Sequence, residues 1–410
     1  MLLLLVTILI MPFETSPHLH LADSFLGLID DLTAIKLLGM LGGAWALMKI
    51  VTGSGGEPVF LSPQARLFAG LILGVLISAT LNSSTPAAVV KYLALIMFMP
   101  FILVSVQTND DLRRVVRTLV LAMTVAVLYA FWQLTRWNGR LGVGLYESNY
   151  LAANLVLVVP LAFALASQAT RVKRALWMAA GCVLVLAILK TSSRGGYLGL
   201  LVASLIYAYR RRGLASAVGV VVFLVLVALP MEVGQRALAT LMSDGPTTPG
   251  LEESTQAHTA LFWGGIRMVL DAPIFGVGPQ RFRDYSRLYS GLDVSYIAHN
   301  TYLELAAEAG VPVLIVFLLL LATALAALGR AARLIHVKED RTLGLWADGL
   351  RTGLIGFAVA GFFISAQYEK PFWLTICLSI VVGRLATWRA GAVATGPAPA
   401  AASARHPRSG

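Results

Sequence analysis

Long apolar runs recur along almost the whole chain, and they constrain the fold more than any single motif does. Apolar residues make up 58% of the 410-residue sequence and charged residues only 13%. Runs of this length are typical of membrane-spanning helices. We therefore predict an all-α polytopic integral membrane protein with about twelve transmembrane helices. The runs lie at residues 1–13, 25–49, 66–81, 88–106, 113–134, 149–168, 175–190, 196–209, 214–231, 312–330, 349–366 and 371–388.

The basic residues predict how these helices are oriented. Most of the 32 Lys and Arg residues lie on alternate connections between the runs, with clusters at 113–117, 171–174 and 210–212. Cytoplasmic loops of membrane proteins carry such an excess of positive charge. The pattern predicts that both termini are cytoplasmic and that the long polar segment 232–299 lies on the other side of the membrane.

Four regions follow from this order. Residues 1–231 are predicted to hold transmembrane helices 1–9, and residues 312–389 helices 10–12. Between them, residues 232–311 are predicted to form one large, mostly helical extracytoplasmic loop, in which any chemistry is expected. Residues 390–410 are rich in Ala, Pro and Gly, which is typical of a disordered tail.

Arg194 is the first residue that needs a function. It lies between two short apolar runs, 175–190 and 196–209. At 1.5 Å per residue these runs reach about 24 and 20 Å, less than the roughly 30 Å of a bilayer core. We therefore expect the turn at Arg194 to lie deep, and Gly195 and Gly199 to let another helix approach closely. The alternative is an arginine that only reaches towards the lipid headgroups.

Arg267 lies in the stretch 254–270, which fits a helix with one apolar side. Asp271 and Pro273 end the pattern. A helix lying on the membrane with one arginine directed inward suits a lipid phosphate. A solvated surface arginine is the alternative for this position.

His299 is the most informative single residue. Thr301 and Glu304 have the spacing of a capping box, and Gly310 that of a C-terminal cap, which predicts a short helix over about 302–309. His299 and Asn300 then stand just before the N-terminal cap. The positive end of the helix dipole disfavours imidazolium, so we predict a neutral His299 able to accept a proton. A structural hydrogen bond is the alternative, and the other histidines, including His258, show no comparable setting.

Several classes of site are not expected. The sequence has no His/Cys cluster and no spaced set of carboxylates, so we predict neither a bound metal nor another cofactor. The pair Gly276 and Gly278 does not follow a strand in a βαβ unit, which argues against dinucleotide binding. We expect membrane lipids as partners and no nucleic acid.

Three segments together resemble the O-antigen ligase and O-antigen polymerase superfamily. They are residues 192–196, Arg267 with the run 273–278, and residues 299–310. The segment 140–152 is also similar to the family's glycine-then-asparagine segment, although Glu147 and Ser148 stand where a proline is expected.

The resemblance implies a GT-C-like glycosyltransferase of the bacterial inner membrane that is inverting and metal-independent. Such an enzyme transfers a glycan from undecaprenyl pyrophosphate to a sugar hydroxyl of lipid A–core, with its active site on the periplasmic side.

The family's residue roles can be carried over to matching positions. By this resemblance Arg194 and Arg267 would hold the pyrophosphate, and His299 would take the acceptor proton. The second-rank candidates for orienting or charge-supporting roles are Arg140, Asn300, Tyr302 and Lys370.

Other functions remain open. An O-antigen polymerase or a protein O-oligosaccharyltransferase of the same superfamily would differ in its acceptor. The ten residues between Arg267 and Gly278 have a spacing associated with the polymerases, but a matching second copy is absent after Arg194. A secondary transporter or lipid flippase, from a different class, would be expected to show repeated halves.

Overall fold

The fold is almost entirely helical. The computed structural model describes residues 1–14, 16–25, 29–54, 62–133, 136–137, 140–142, 147–229, 249–337 and 341–394. Its helices are α1 Leu2–Ile10, α2 Ala34–Val51, α3 Pro63–Leu81, α4 Pro86–Ser105, α5 Asn109–Gln133, α6 Ser148–Ser167, α7 Arg171–Lys190, α8 Arg194–Arg212, α9 Leu214–Ala228, α10 Pro249–Asp271, α11 Phe282–Ser290, α12 Thr301–Ala309, α13 Val311–Ala332, α14 Arg341–Ala360 and α15 Lys370–Ala394.

Two small antiparallel hairpins interrupt the helices. Strand β1, His20–Phe25, pairs with β2, Ile29–Thr33, and a two-residue pair joins β3, Arg136–Trp137, to β4, Arg140–Leu141. The first hairpin lies where the predicted span 25–49 begins, so the helix starts later than expected. Thr33 sets this start, because its side chain accepts a hydrogen bond from the Lys36 N–H at 3.3 Å.

Each of the apolar runs contains a helix, but fewer helices qualify as membrane spans than expected. Seven of the described helices, α2, α3, α5, α6, α7, α13 and α15, are long and apolar enough to cross a membrane. Three further apolar helices are shorter, at Leu2–Phe13, Val89–Ser105 and Leu214–Leu226. The architecture is consistent with an all-α membrane protein; by length and composition seven of the described helices are candidate spans, and the total of about twelve stays a prediction.

Helices α7 and α8 correct the expected short spans around Arg194. They contain 20 and 19 residues, which corresponds to about 30 and 28 Å. The helices are longer than the apolar runs because the flanking clusters, 171–174 and 210–212, are themselves helical. The depth of the turn at Arg194 in a bilayer therefore stays a prediction.

The C-terminal boundary also differs. Helix α15 continues to Ala394, so it enters the stretch 390–410 that the composition predicted as a disordered tail. Residues 395–410 lie outside the described part of the chain.

Helix α6 lies at the centre of the bundle, and sixteen of its twenty residues are buried. Helix α14 packs closely beside it and beside α8, where glycines replace side chains. A Cβ on Gly199 of α8 would lie 2.6 Å from the carbonyl oxygen of Gly356 in α14. The close helix approach expected at Gly199 is thus present, and it fixes the start of α8 against the end of α14.

Helices α10, α11 and α12 form a separate small packing unit. Their shared core consists of Leu261, Met268, Phe282, Ala298 and Ala307. A Cβ on Gly265 of α10 would lie 2.6 Å from the Leu303 side chain, so α10 crosses α12 at close range. This unit follows residues 230–248, which the structure does not describe, and it carries His299.

Candidate functional site

The start of α12 organises the site, and Asn300 caps it. The Asn300 side-chain oxygen accepts hydrogen bonds from the backbone N–H groups of Tyr302 and Leu303, both at 3.0 Å. The predicted cap, Thr301, was one residue too late. Asn300, expected as an orienting residue, therefore holds the helix start directly beside His299.

The segment 361–367, which follows α14, holds the first turn of α12 in place. The Thr301 N–H donates to the Gly361 carbonyl at 2.8 Å, and the Thr301 hydroxyl donates to the Ile364 carbonyl at 2.7 Å. The Ala366 N–H in turn donates to the Thr301 hydroxyl at 2.9 Å. A loop and a helix distant in sequence are thus joined at one residue.

Glu304 extends this network to the peptide before His299. Its buried carboxylate accepts from the Ala298 N–H at 3.0 Å, from Gln367 Nε2 at 2.7 Å and from the Ser365 hydroxyl. In the expected capping box this carboxylate would have accepted a hydrogen bond from the Thr301 backbone N–H, and that prediction was wrong. Burial raises the pKa of Glu304, although these three hydrogen bonds oppose the rise. The side chain positions the backbone that carries His299.

His299 itself has an unusual backbone conformation and a half-buried side chain. Its φ is 49°, in the left-handed region that non-glycine residues seldom adopt. Such conformations persist where the surrounding structure enforces them, and they cluster at functional sites. Burial lowers the pKa of His299, which favours the neutral ring at neutral pH. The cause is burial, whereas the sequence had suggested the helix dipole.

A second histidine, His258, faces His299 from α10. The two ring centroids are 5.2 Å apart and the rings meet edge to face at 68°. The pKa of His258 is also lowered, by burial first and then by the nearby charges of His299 and Arg194. Two imidazoles that both resist protonation thus stand side by side.

Arg194 is the arginine that the structure brings to this pair. It is the exposed first residue of α8, which Ser193 caps by accepting from the Gly196 N–H at 3.2 Å. A Cβ on the next residue, Gly195, would lie 2.7 Å from that of Phe363. Arg194 therefore lies beside the same 361–367 segment that clamps α12, and its charge reaches His258.

Arg267 is not brought to the histidines in the same way. It lies nine residues after His258 on α10, hence about 13 Å further along the axis and on roughly the opposite side of the helix. Its exposed side chain donates from Nη1 to the Tyr289 carbonyl at 3.0 Å, which ties α10 to α11. The structure thus separates Arg267 from the group formed by His258, His299 and Arg194.

Of the second-rank candidates other than Asn300, Tyr302 and Lys370 do not converge on His299 either. The Tyr302 hydroxyl donates to the Ala358 carbonyl at 2.6 Å, and its ring packs against Phe362. Lys370 pairs with Glu14. The side chain of Arg140 lies outside the described part of the structure.

Glu308, one turn after Glu304, anchors the other end of α12. Its Oε1 accepts from the Phe282 N–H at 3.1 Å, while its backbone carbonyl accepts from the Gly278 N–H at 2.9 Å. Gly276 has a φ of 65°, and any Cβ there would collide with the Glu308 carbonyl. The run 273–278 therefore holds the end of α12. Burial and the nearby Glu304 raise the pKa of Glu308 well above its ordinary value.

Sequence reasoning missed the roles of three of these residues, since it left His258 without a function, gave Glu304 only a capping role and gave Glu308 no role of its own. His258 had no local signal, because its partner lies 41 positions away and meets it only after folding. Glu304 and Glu308 did have a local signal, because carboxylates at positions i and i+4 lie on the same face of a helix. In a short apolar helix that ends at Gly310, this spacing indicates two buried carboxylates.

The group can supply a proton acceptor and an anion-binding side chain. A neutral imidazole accepts a proton, and a guanidinium binds phosphate oxygens through paired hydrogen bonds. Among the described residues, no group of three or more His, Cys, Asp or Glu side chains could hold a metal ion.

The comparison with known families covers this site. Residues 179–318 match the family model described as O-antigen ligase, and the matched stretch contains Arg194, His258, Arg267 and His299. No curated protein matches the chain. The family match indicates a glycosyltransferase-like enzyme of the O-antigen ligase and polymerase kind, and it supports the membership of this chain in the O-antigen ligase superfamily.

Proposed function

We propose that the protein is an O-antigen ligase that transfers a glycan from undecaprenyl pyrophosphate to a sugar hydroxyl of lipid A–core. One geometric observation carries this proposal: the ring of His299, in a strained position before α12, meets His258 edge to face, and Arg194 lies close to that pair. A base and an anion-binding group are what this transfer requires. The proposed location is the bacterial inner membrane, with the site on its periplasmic side.

In the proposed reaction His299 acts as the general base. A free ring nitrogen takes the proton from the acceptor hydroxyl as that oxygen attacks the anomeric carbon of the donor glycan. A positioned base contributes roughly 10²–10⁴-fold to such a step. The lowered pKa keeps the ring unprotonated at neutral pH, so the base is ready before the acceptor arrives.

Arg194 is proposed to bind the leaving group. As the new glycosidic bond forms, the bond between the anomeric carbon and the pyrophosphate oxygen breaks, and undecaprenyl pyrophosphate leaves with both electrons. A single displacement of this kind inverts the anomeric configuration. The pyrophosphate carries stable negative charge, so a guanidinium can bind it without a divalent ion, which is why we propose a metal-independent reaction.

The other candidates receive smaller roles in this proposal. Arg267 binds the charged part of the donor from the far side of α10, and its effect is expected to be weaker because it is bonded to Tyr289. Asn300 and Glu304 hold the position of His299 rather than touching substrate. Arg140, Tyr302 and Lys370 are kept as charge-supporting or orienting residues of lower rank.

The acceptor distinguishes the proposed ligase from its relatives. An O-antigen polymerase would use the same donor with a second glycan repeat as acceptor, and a protein O-oligosaccharyltransferase would use a protein hydroxyl. The purified protein, reconstituted with an undecaprenyl-linked glycan, should form product with lipid A–core in the presence of a chelator. Product with only a glycan repeat or only a protein would replace the ligase assignment.

A matched control uses the same vesicles with His299→Ala protein. This variant should bind the donor and form product about 10²–10⁴-fold more slowly. Movement of lipid-linked glycan across the vesicle membrane without any new glycosidic bond would instead favour a flippase, the candidate from a different class.

A further inference from the structure

A pocket lies at the end of the bundle opposite the histidines. From Arg194 to Arg210, α8 rises about 24 Å, most of the thickness of a bilayer core. A cavity of about 420 Å³ opens near that end between α13 and α14. We call it the arginine pocket, and its lining residues are Leu325, Ala326, Gly329, Arg330, Arg333 and Arg351.

Positive charge dominates this pocket. The nearby carboxylate of Asp348, 1% exposed, is already paired with Arg210 at 3.1 Å and with Arg211 at 3.4 Å. Within the described part of the chain, which omits residues 338–340, neither Arg330 nor Arg333 forms an ion pair with an acidic side chain. Three lining arginines thus share a cavity that no described acid lines, and the nearby Asp348 is already shared by two other arginines.

Arg351 has the strongest need for an anion. Its guanidinium lies flat on α13, where a Cβ on Gly329 would be 3.3 Å from Arg351 Cζ. The Arg351 Nε atom is buried and has no hydrogen-bond partner among the described residues. The charges of Arg210 and Arg333 act on the same side chain, and the carboxylate of Asp348 offsets them in part. A partly buried cation beside like charges is costly, and in membrane proteins it usually has a partner.

The wall beside the arginines is apolar. Ile315, Leu318 and Leu319 are exposed on α13, and their spacing places them on one side of the helix with Ala326. Arg330 follows Ala326 by four residues and so continues the same side. An acyl chain lying along this face would end at the arginine pocket.

We propose that the arginine pocket binds the phosphate group of an anionic phospholipid, whose acyl chain lies along α13. Basic pockets between membrane helices bind acidic lipid headgroups, and each Lys or Arg near the surface contributes about 1 kcal/mol. Inorganic phosphate shares the headgroup chemistry but lacks the chain, so it should bind much more weakly. The site is independent of glycan transfer and lies outside the proposed catalytic group.

The test measures phosphatidylglycerol retained by the full-length protein in phosphatidylcholine vesicles with graded amounts of phosphatidylglycerol. The double variant Arg330→Gln/Arg333→Gln should retain it about 25-fold more weakly, since each lost charge costs about fivefold. Both side chains are exposed, so the variant should fold. Arg351→Lys, which keeps the charge and loses the planar fork, should show a smaller loss.

The matched control is Arg113→Gln/Arg114→Gln on α5. Arg113 is partly exposed and Arg114 exposed, and they pair with Asp110 and Asp111, so their loss should leave lipid retention unchanged. Equal retention by the pocket variant and the parent would overturn the proposal. Equal thermal protection of the detergent-solubilised parent by inorganic phosphate and by phosphatidylglycerol would overturn the lipid assignment.

Discussion

The two ends of α8 both carry arginine, in opposite surroundings. At its start, Arg194 stands beside His258, an imidazole whose pKa is lowered. At its other end, Arg210 and Arg211 share the buried carboxylate of Asp348. The first arrangement leaves positive charge available to an incoming anion, whereas the second uses much of it within the fold. The environment, rather than the residue type, separates a candidate substrate ligand from a structural ion pair.

The histidine end is also held by a different kind of contact. Buried hydrogen bonds from Thr301 and Glu304 to the 361–367 segment fix the backbone around His299. At the arginine end the contacts are ion pairs from the partly exposed Arg210 and Arg211 to the buried carboxylate of Asp348. The two ends of α8 are thus held by different chemistry, hydrogen bonds around the proposed base and charge pairing at the other end.

The largest expected effect is that of His299→Ala on transfer. The variant should lose about 10²–10⁴-fold in turnover because the acceptor hydroxyl loses its proposed base. Donor affinity should stay within about twofold, since the ring does not bind the pyrophosphate in our proposal. Turnover with lipid A–core and binding of undecaprenyl pyrophosphate measure the two effects separately. An equal loss of both would remove the base assignment.

The pH profile supplies a control for that variant. Because burial lowers the pKa of His299 below its usual 6.5, the base stays unprotonated at neutral pH. Turnover should therefore be level from neutral pH down to about 6.5 and fall about tenfold per pH unit only below the lowered pKa. The residual activity of His299→Ala should lack this acidic limb. An acidic limb centred above pH 6.5 would contradict a buried, neutral base.

A smaller effect is expected for Arg194→Ala, which tests the comparison between the two ends of α8. Donor affinity should fall about 10- to 100-fold, the range expected for charge-assisted hydrogen bonds. Arg194→Lys should recover little of it, because lysine lacks the planar fork. The matched control, Arg210→Lys, keeps its charge beside Asp348 and should leave donor affinity unchanged. If both variants weaken donor binding equally, the proposed distinction between the two ends is wrong.

The positions of the helices were largely predictable from the sequence, because each apolar run contains one. The lengths of the helices were less predictable. The clusters 171–174 and 210–212 end the apolar runs without ending α7 and α8, since Lys and Arg are good helix formers. Composition therefore located these helices but misjudged their ends, and the depth of the turn at Arg194 stays a prediction.

The site was predictable only where its signal was local. Residues 299–310 indicated a histidine before a short helix, and the cap was misplaced by one residue. The pairing of His258 with His299, and of Thr301 with the 361–367 segment, depends on contacts between distant parts of the chain. Hydrophobic periodicity has no information about such contacts.

The smallest expected effect is that of Arg267→Ala, and it tests the separation within α10 itself. Arg267 lies on the side of the helix away from His258 and donates to Tyr289, so donor affinity should fall less than tenfold, below the effect of Arg194→Ala. Binding of undecaprenyl pyrophosphate to both variants in the same vesicles measures the difference. A loss as large as that for Arg194 would mean that α10 turns when the donor binds, breaking the Tyr289 contact and bringing both guanidinium groups to one pyrophosphate.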